Sequence, residues 1–238
     1  MKKYISYCFA LLLLYSCNTN DTIENYDVEK PIDLESESIT DTIDFNFFDN
    51  DKLSTIEDEI ISKPESPNVY YKRSIYYKLR KKYTLALEDI NRSLKLAPDA
   101  AVFNFEKAAI LYEYGVFVMD VSKIDEAEIY LNHTLSLDKD FKNAILLKSK
   151  ILLYKKETDP SMKLVNDVLK LDKTNANAYF TKGMIYHYLG NKSLAISSYQ
   201  TAIEMDADYY DAYMNLGLLF SEQNDNNAIE YYNSAIDI

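Results

Sequence analysis

The chain has 238 residues, 47% of them hydrophobic and 27% charged, with four Gly and five Pro; it can bury a core, and its shortage of breakers favours helices over a meander of strands. Its formal charge of −12 excludes generic nucleic-acid binding, which needs a basic face to release counterions. Cys8 and Cys17 are the only cysteines, so no disulfide or thiolate metal site is available beyond residue 17.

The chain opens with Lys2 and Lys3, followed by an apolar run over residues 4–14 interrupted by Ser6. That run is well short of the roughly 20 residues a membrane-spanning helix needs, and predicts a signal peptide over residues 1–16. It ends in Leu14-Tyr15-Ser16-Cys17, which resembles the lipobox of bacterial lipoproteins. The resemblance implies that Cys17 becomes the first mature residue and carries the lipid, which makes the membrane one partner. It implies a place in the bacterial cell envelope and, with Asn18 following the cysteine, the outer membrane rather than the inner. One acyl chain binds only marginally at about 0.8 kcal/mol per buried CH₂, whereas two or three on one cysteine hold durably.

Residues 17–49 form a polar segment without helical periodicity. Fourteen acids face two bases over residues 18–62, whereas 24 acids face 22 bases from Lys63 onward. The acidic stretch predicts a disordered, self-repelling tether. Ile43, Phe45, Phe47 and Phe48 break its pattern between Asp44, Asn46 and Asp49. A solvated spacer has no use for three Phe, so this patch is expected to pack on the first repeat or in a groove. Leu53, Ile56, Ile60 and Ile61 then recur at helical spacing and predict a capping half-repeat over residues 50–66.

From Pro67 onward the chain repeats itself. Tyr179, Gly183, Tyr186, Gly190, Ala195, Tyr199 and Ala202 recur, all but Gly190, as Tyr213, Gly217, Phe220, Ala228, Tyr232 and Ala235 after a one-residue deletion. Earlier copies carry Tyr70, Ser74, Tyr77, Ala86, Ile90, Ser93 and Pro98, and then Ile145, Ser149, Leu152, Ser161, Val165 and Val168. One small slot runs through Ser74, Ala108, Ser149, Gly183 and Gly217, and a second through Ala86, Ala127, Ser161, Ala195 and Ala228. Small residues at both let two helices approach closely. A period of about 34 residues resembles the tetratricopeptide repeat (TPR), a helix–turn–helix unit. The resemblance implies an all-α fold, an α-solenoid of about five repeats in a right-handed superhelix, with copies at 67–100, 101–141, 142–175, 176–209 and 210–238. Pro98 is expected to end one helix, and Asp159-Pro160 to form an N-cap and first-turn proline. In the second copy Gly115 keeps the turn slot, but Lys123 to Ala127 arrive seven residues late. Seven residues are close to two helical turns, so the helix starting near Ala101 is expected to lengthen and project.

The family resemblance also implies an inner wall built from three slots on each first helix. Those slots hold Tyr71, Ile75 and Lys78; Phe105, Ala109 and Tyr112; Leu146, Lys150 and Leu153; Phe180, Met184 and His187; Met214, Leu218 and Ser221. Tyr71 and Ile75 stand where some members hold a carboxylate-gripping Lys and Asn, so that clamp is missing. The wall is mostly apolar and aromatic and fits an extended or helical peptide. The basic set Lys72, Arg73, Lys78, Arg80, Lys81, Lys82, Arg92 and Lys95 reads first as a solvated face and second as a site for an anionic partner. The last helix ends near Tyr231, Tyr232, Ala235 and Ile236 without a polar cap, so self-association through it is expected.

His133 and His187 are the only histidines and lie far apart; no phosphate loop, nucleophile elbow or zinc motif occurs. The expected function is therefore a membrane-anchored interaction scaffold or adaptor for a protein or peptide, not an enzyme, without metal or cofactor. The competing class is a glycan- or peptidoglycan-associated binding lipoprotein, since the 22 Tyr could stack on sugars.

Overall fold

The computed structural model describes residues 50–238; the signal peptide, Cys17, the acidic tether and its Phe patch lie outside the described residues. The described residues form eleven α-helices and no strand, as the repeat pattern predicts. They are α1 (Asn50–Ser62), α2 (Pro67–Leu79), α3 (Tyr83–Leu96), α4 (Ala101–Val118), α5 (Val121–Leu137), α6 (Lys142–Tyr154), α7 (Thr158–Leu171), α8 (Ala176–Tyr188), α9 (Lys192–Met205), α10 (Tyr210–Ser221) and α11 (Asn227–Asp237). The helices fall into two compact units, α1 to α5 and α6 to α11. Within each, consecutive helices pair as hairpins and the hairpins pack side by side.

The small slots explain the hairpins. Ser74, Ala108 and Ser149 on first helices, and Ala86, Ala127, Ser161 and Ala195 on second helices, have no exposed surface. The partner one turn further along the second helix is graded to match. Ile90, Leu131 and Val165 accompany Ser or Ala, whereas Tyr199 and Tyr232 accompany Gly183 and Gly217. A Cβ on Gly183 would lie 2.5 Å from the Tyr199 ring, and one on Gly217 would lie 2.5 Å from the Tyr232 ring. Glycine here makes room for a tyrosine, not for an unusual backbone. In α6 and α7 the slots hold a hydroxyl clasp instead. The Ser149 and Ser161 hydroxyls lie 2.8 Å apart, and each donates to the other residue's carbonyl, at 3.0 and 2.8 Å. Both residues are fully buried.

The turn inside each of the five repeats is closed in the same way. Within three residues of the end of the first helix, one residue takes a left-handed backbone: Lys81 (φ 56°), Met119 (57°), Lys156 (67°), Gly190 (76°) and Asn224 (54°). Its N–H and the next one donate back to the helix. Lys81 and Lys82 donate to Lys78 and Tyr77 at 2.8 and 2.9 Å, and Gly190 and Asn191 donate to His187 and Tyr186 at 3.0 and 2.9 Å. This is the paired-bond Schellman termination, which satisfies carbonyls the helix end would orphan. Only one of the five positions is glycine. A left-handed residue with a Cβ costs about 1–2 kcal/mol, and glycine returns roughly 0.5–1 kcal/mol of that as chain entropy. Lys156→Gly is therefore expected to raise stability by about 0.5–1 kcal/mol, read as a higher denaturant midpoint at unchanged slope. Gly190→Ala is expected to lower it by about 1 kcal/mol, although a Cβ there meets nothing within 4 Å.

The turn chemistry corrects two expectations. Gly115 is not at a turn: it lies inside α4, and the left-handed residue is Met119. A Cβ on Gly115 would lie 2.8 Å from Ile124 Cγ1 and 2.9 Å from the Asp120 carbonyl, so close helix approach is what requires glycine there. Asp159 does not cap its helix either; Glu157 holds that place, and Asp159 lies in the first turn, where its charge suits the helix dipole. Side-chain caps are made elsewhere, by Asp120 to the Ser122 N–H and by Asn175 to the Ala178 N–H. Helix α3 does stop before Pro98, with Ala97 as its C-terminal boundary residue.

The seven extra residues lengthen both helices of their hairpin. Helix α4 has 18 residues where α2, α6 and α8 have 13, and α5 has 17 where α3, α7 and α9 have 14. The turn between them is one residue shorter. The insertion thus becomes about one helical turn on each arm, and the packing faces keep their register.

Candidate protein-binding surfaces

Of the fifteen first-helix residues predicted to line an inner wall, nine are buried: Tyr71, Ile75, Phe105, Ala109, Tyr112, Leu146, Leu153, Phe180 and Met184. Packing between neighbouring helices accounts for several. The Tyr71 ring lies 5.2 Å from Phe103, and Phe180 lies 5.5 Å from Tyr199 and 5.2 Å from Tyr209. These rings serve the core. The residues that keep accessible surface are Lys78, Lys150, His187, Met214 and Leu218, with Ser221 exposed.

Lys78 is engaged inside the first unit. Its Nζ lies 3.0 Å from Glu106 Oε1 and 3.9 Å from Glu113 Oε1. Glu106 is 1% exposed, and its second oxygen accepts no hydrogen bond. Burial alone would lower the Lys78 pKa, but the pull of Glu106 and Glu113 outweighs it and raises it above the usual 10.5. Repeat slots did not reveal these acids as partners. A signal was present nonetheless: α4 is apolar on nearly every side, and a Glu in such a helix needs a buried counter-charge.

The wider basic set is also largely spoken for within the unit. Arg73 donates to both Asp89 oxygens at 2.7 and 2.8 Å, Lys72 reaches Glu59 at 3.0 Å, and Arg92 reaches Glu65 at 3.3 Å. The Arg80 guanidinium lies 3.5 Å from the centre of the Tyr76 ring. Lys81 and Lys82 are exposed at the first turn.

In the second unit, Lys150 sits 5.7 Å over the Phe180 ring. His187 Nε2 lies 3.8 Å from Glu222 Oε1, while Lys192 Nζ lies 2.9 Å from Glu222 Oε2. Sequence spacing gave no hint of this group, because its members come from three helices' ends. Burial holds the His187 pKa below the usual 6.5; Glu222 opposes that shift and Lys192 adds to it. A lowered histidine pKa means that the unfolded chain protonates first as pH falls. Stability is then present above pH 6.5 and is lost as pH drops below it toward the folded value. His187→Gln is expected to flatten the loss of stability between about pH 6.5 and 5, measured by denaturant unfolding at a series of pH values.

Among the described residues no three His, Cys, Asp or Glu side chains are grouped to hold a metal ion. Among the same residues no helix is long and apolar enough to cross a membrane. The C-terminal helix exposes Ile229 and Ile236, while Ala228 and Ala235 pack inward. At the far end of the long hairpin, Phe117, Val118, Met119 and Val121 are all exposed.

Helical hairpins with small residues at matched slots and a common turn are the geometry of tetratricopeptide repeats. Residues 183–224 match the family model described as the TPR repeat. The chain has the all-α TPR-type fold. No curated protein matches it. Among solved structures, it is similar to the human IFIT1 dimer bound to PPP-AAAA, with a TM-score of 0.62 at 16% identity. That similarity covers 78% of this chain and 45% of the other, so this chain spans less than half the length of IFIT1. It is also similar to YrrB, described as a TPR protein with an unusual peptide-binding site, at a TM-score of 0.47 and 19% identity over 76% of this chain and 91% of that one. MamA aligns with a TM-score of 0.46 at 19% identity, over 73% of this chain and 92% of that one.

Proposed function

We propose that the chain is a non-enzymatic interaction module that holds a protein or peptide partner along the first helices of its second unit. The observation that carries this reading is that Lys150, His187, Met214 and Leu218, drawn from the wall slots of α6, α8 and α10, stay accessible while Leu146, Leu153, Phe180 and Met184 beside them are buried. Three of the four lie within the segment matching the TPR repeat. Met214 and Leu218 offer apolar contact, and His187, Lys192 and Glu222 offer hydrogen-bonding groups to fix a backbone. The same reading holds the module at a bacterial envelope membrane, the outer one, through a lipid on Cys17; its support is the leader and the Leu14-Tyr15-Ser16-Cys17 sequence.

A photo-crosslinking amino acid at Met214 or Leu218, followed by mass spectrometry from intact cells, tests the binding face. A reproducible adduct with one protein, absent when the probe stands at the exposed Ile129 on α5, is the expected result. Equal labelling from all three positions would refute the face. Leu218→Asp is expected to weaken the captured interaction about tenfold or more, as loss of an apolar anchor does. Labelling with an alkynyl palmitate analogue that disappears in Cys17→Ser checks the anchor.

A further inference from the structure

The long hairpin presents four large apolar side chains at its tip: Phe117 is 50% exposed, Val118 45%, Met119 63% and Val121 49%. A run of this kind at the outermost point of a fold is costly unless something covers it. The Phe117 ring lies 5.7 Å from Tyr83, whose ring stacks at 5.3 Å on Tyr114, so the tip is continuous with the start of α3, where Leu85 is also exposed. Lys81 and Lys82 stand exposed at the adjoining turn, and Lys123 lies behind the tip, 4.7 Å over the Tyr114 ring and 3.7 Å from Asp120. The surface is apolar with a basic border.

The chain carries a segment of matching chemistry. Residues 43–49 read Ile-Asp-Phe-Asn-Phe-Phe-Asp, apolar side chains set between acids. They join the fold at this same end. Helix α1 runs antiparallel to α2, since Glu59 near the end of α1 pairs with Lys72 near the start of α2 at 3.0 Å. The start of α1 at Asn50 therefore stands level with the end of α2 at Leu79, the end of that helix from which Lys81 and Lys82 follow. Six extended residues reach about 20 Å, roughly the width of two packed helices. Attachment at this point also gives the segment an effective concentration on the order of millimolar, which a free partner has to exceed.

We infer that residues 43–49 dock on the tip of the α4–α5 hairpin, with Phe45, Phe47 and Phe48 covering Phe117, Val118, Met119 and Val121, and with Asp44 and Asp49 facing Lys81 and Lys82. This fixes the end of the acidic segment on the first unit and leaves the second unit's first helices free of it.

The test uses the full chain with benzoylphenylalanine in place of Phe117. Irradiation is expected to yield an intrachain adduct that maps to residues 43–49. The triple variant Phe45→Ser, Phe47→Ser, Phe48→Ser is expected to cut that adduct about tenfold, the effect of losing apolar burial. The same variant, with native Phe117, is expected to speed hydrogen exchange of the amides at 116–121. Those three substitutions lie outside the α4–α5 sequence, so the hairpin itself is unaltered. An adduct yield and exchange rate unchanged in the triple variant would overturn the proposal. So would adducts that form instead with phospholipid, in vesicles of phosphatidylethanolamine and phosphatidylglycerol, or with a second copy of the chain.

Discussion

Lys78→Ala is expected to lower the stability of the first unit by about 3–5 kcal/mol, the loss seen when one partner of a buried ion pair is removed. The effect comes less from the missing attraction than from what is left behind. Glu106 is 1% exposed, and the ammonium 3.0 Å away is what balances its charge. Without it the carboxylate is held in the interior uncompensated, and Glu113 adds a like charge nearby. The companion variant Lys78→Met with Glu106→Met separates the two contributions. Replacing both members with apolar side chains is expected to be neutral or to stabilise by about 1–4 kcal/mol, because the desolvation of two charges disappears with them. Denaturant unfolding of the full chain is the measurement, with the transitions of the two units fitted separately. A loss below about 1 kcal/mol in Lys78→Ala would mean that water reaches Glu106 in the fold. The pKa of Lys78 is raised from its usual 10.5, so its contribution is fully present below that pH and is lost as pH rises above it. Tyr199 acts in the same direction, since burial opposes its ionisation and raises its pKa above 10.0 while the unfolded chain ionises normally. Alkaline unfolding of the native chain should therefore begin above about pH 10, with the absorbance of tyrosinate appearing together with the loss of helix.

Gly183→Ala is expected to destabilise the second unit although alanine is the better helix former. The propensity gain is about 1 kcal/mol, whereas an added methyl in a filled core costs about 1–3 kcal/mol. Here the larger cost wins, because the new Cβ would lie 2.5 Å from two atoms of a ring that is fully buried and packed against Phe180. A net loss near 2 kcal/mol follows, and Gly183→Val should exceed 3 kcal/mol by the same reasoning. The compensating change is Tyr199→Leu in the same chain, which recreates the small-with-aliphatic pairing seen at Ser74 with Ile90. A double-mutant cycle should show a favourable coupling above about 0.5 kcal/mol. Gly217→Ala should cost less, since Tyr232 is only partly buried and can turn away. Equal losses at the two glycines would argue that backbone conformation, not the ring, sets their identity.

These two sites show how far the sequence could be read. Spacing alone marked Gly183 and Gly217 as close-approach positions, because the requirement is local to a helix pair and recurs with the repeat. The same reasoning misplaced Gly115. Its slot aligned with a turn, but the helix ran on to Val118, and a left-handed Met119 closed it. Four of the five left-handed turn residues carry a side chain, so glycine was a poor guide to a geometry set by the paired backbone bonds. The wall residues went further astray in detail. A slot number says which side of a helix a residue occupies, not whether the next hairpin covers it, and nine of the fifteen are buried.

What the chain's linear order determined was everything with a short range or a regular period: the helical hairpins, their small contact slots, the seven-residue lengthening, and the separation of an acidic segment from a nearly neutral body. What only the folded arrangement decided was which groups from different helices meet. Lys78 with Glu106, His187 with Glu222 and Lys192, and the apolar tip beside Tyr83 join residues from separate helices, 28, 35, 5 and 34 positions apart respectively. The reason is physical. Periodicity reports the burial of an average side chain on a face, whereas an ion pair or an exposed tip depends on angles and depths that accumulate from one hairpin to the next.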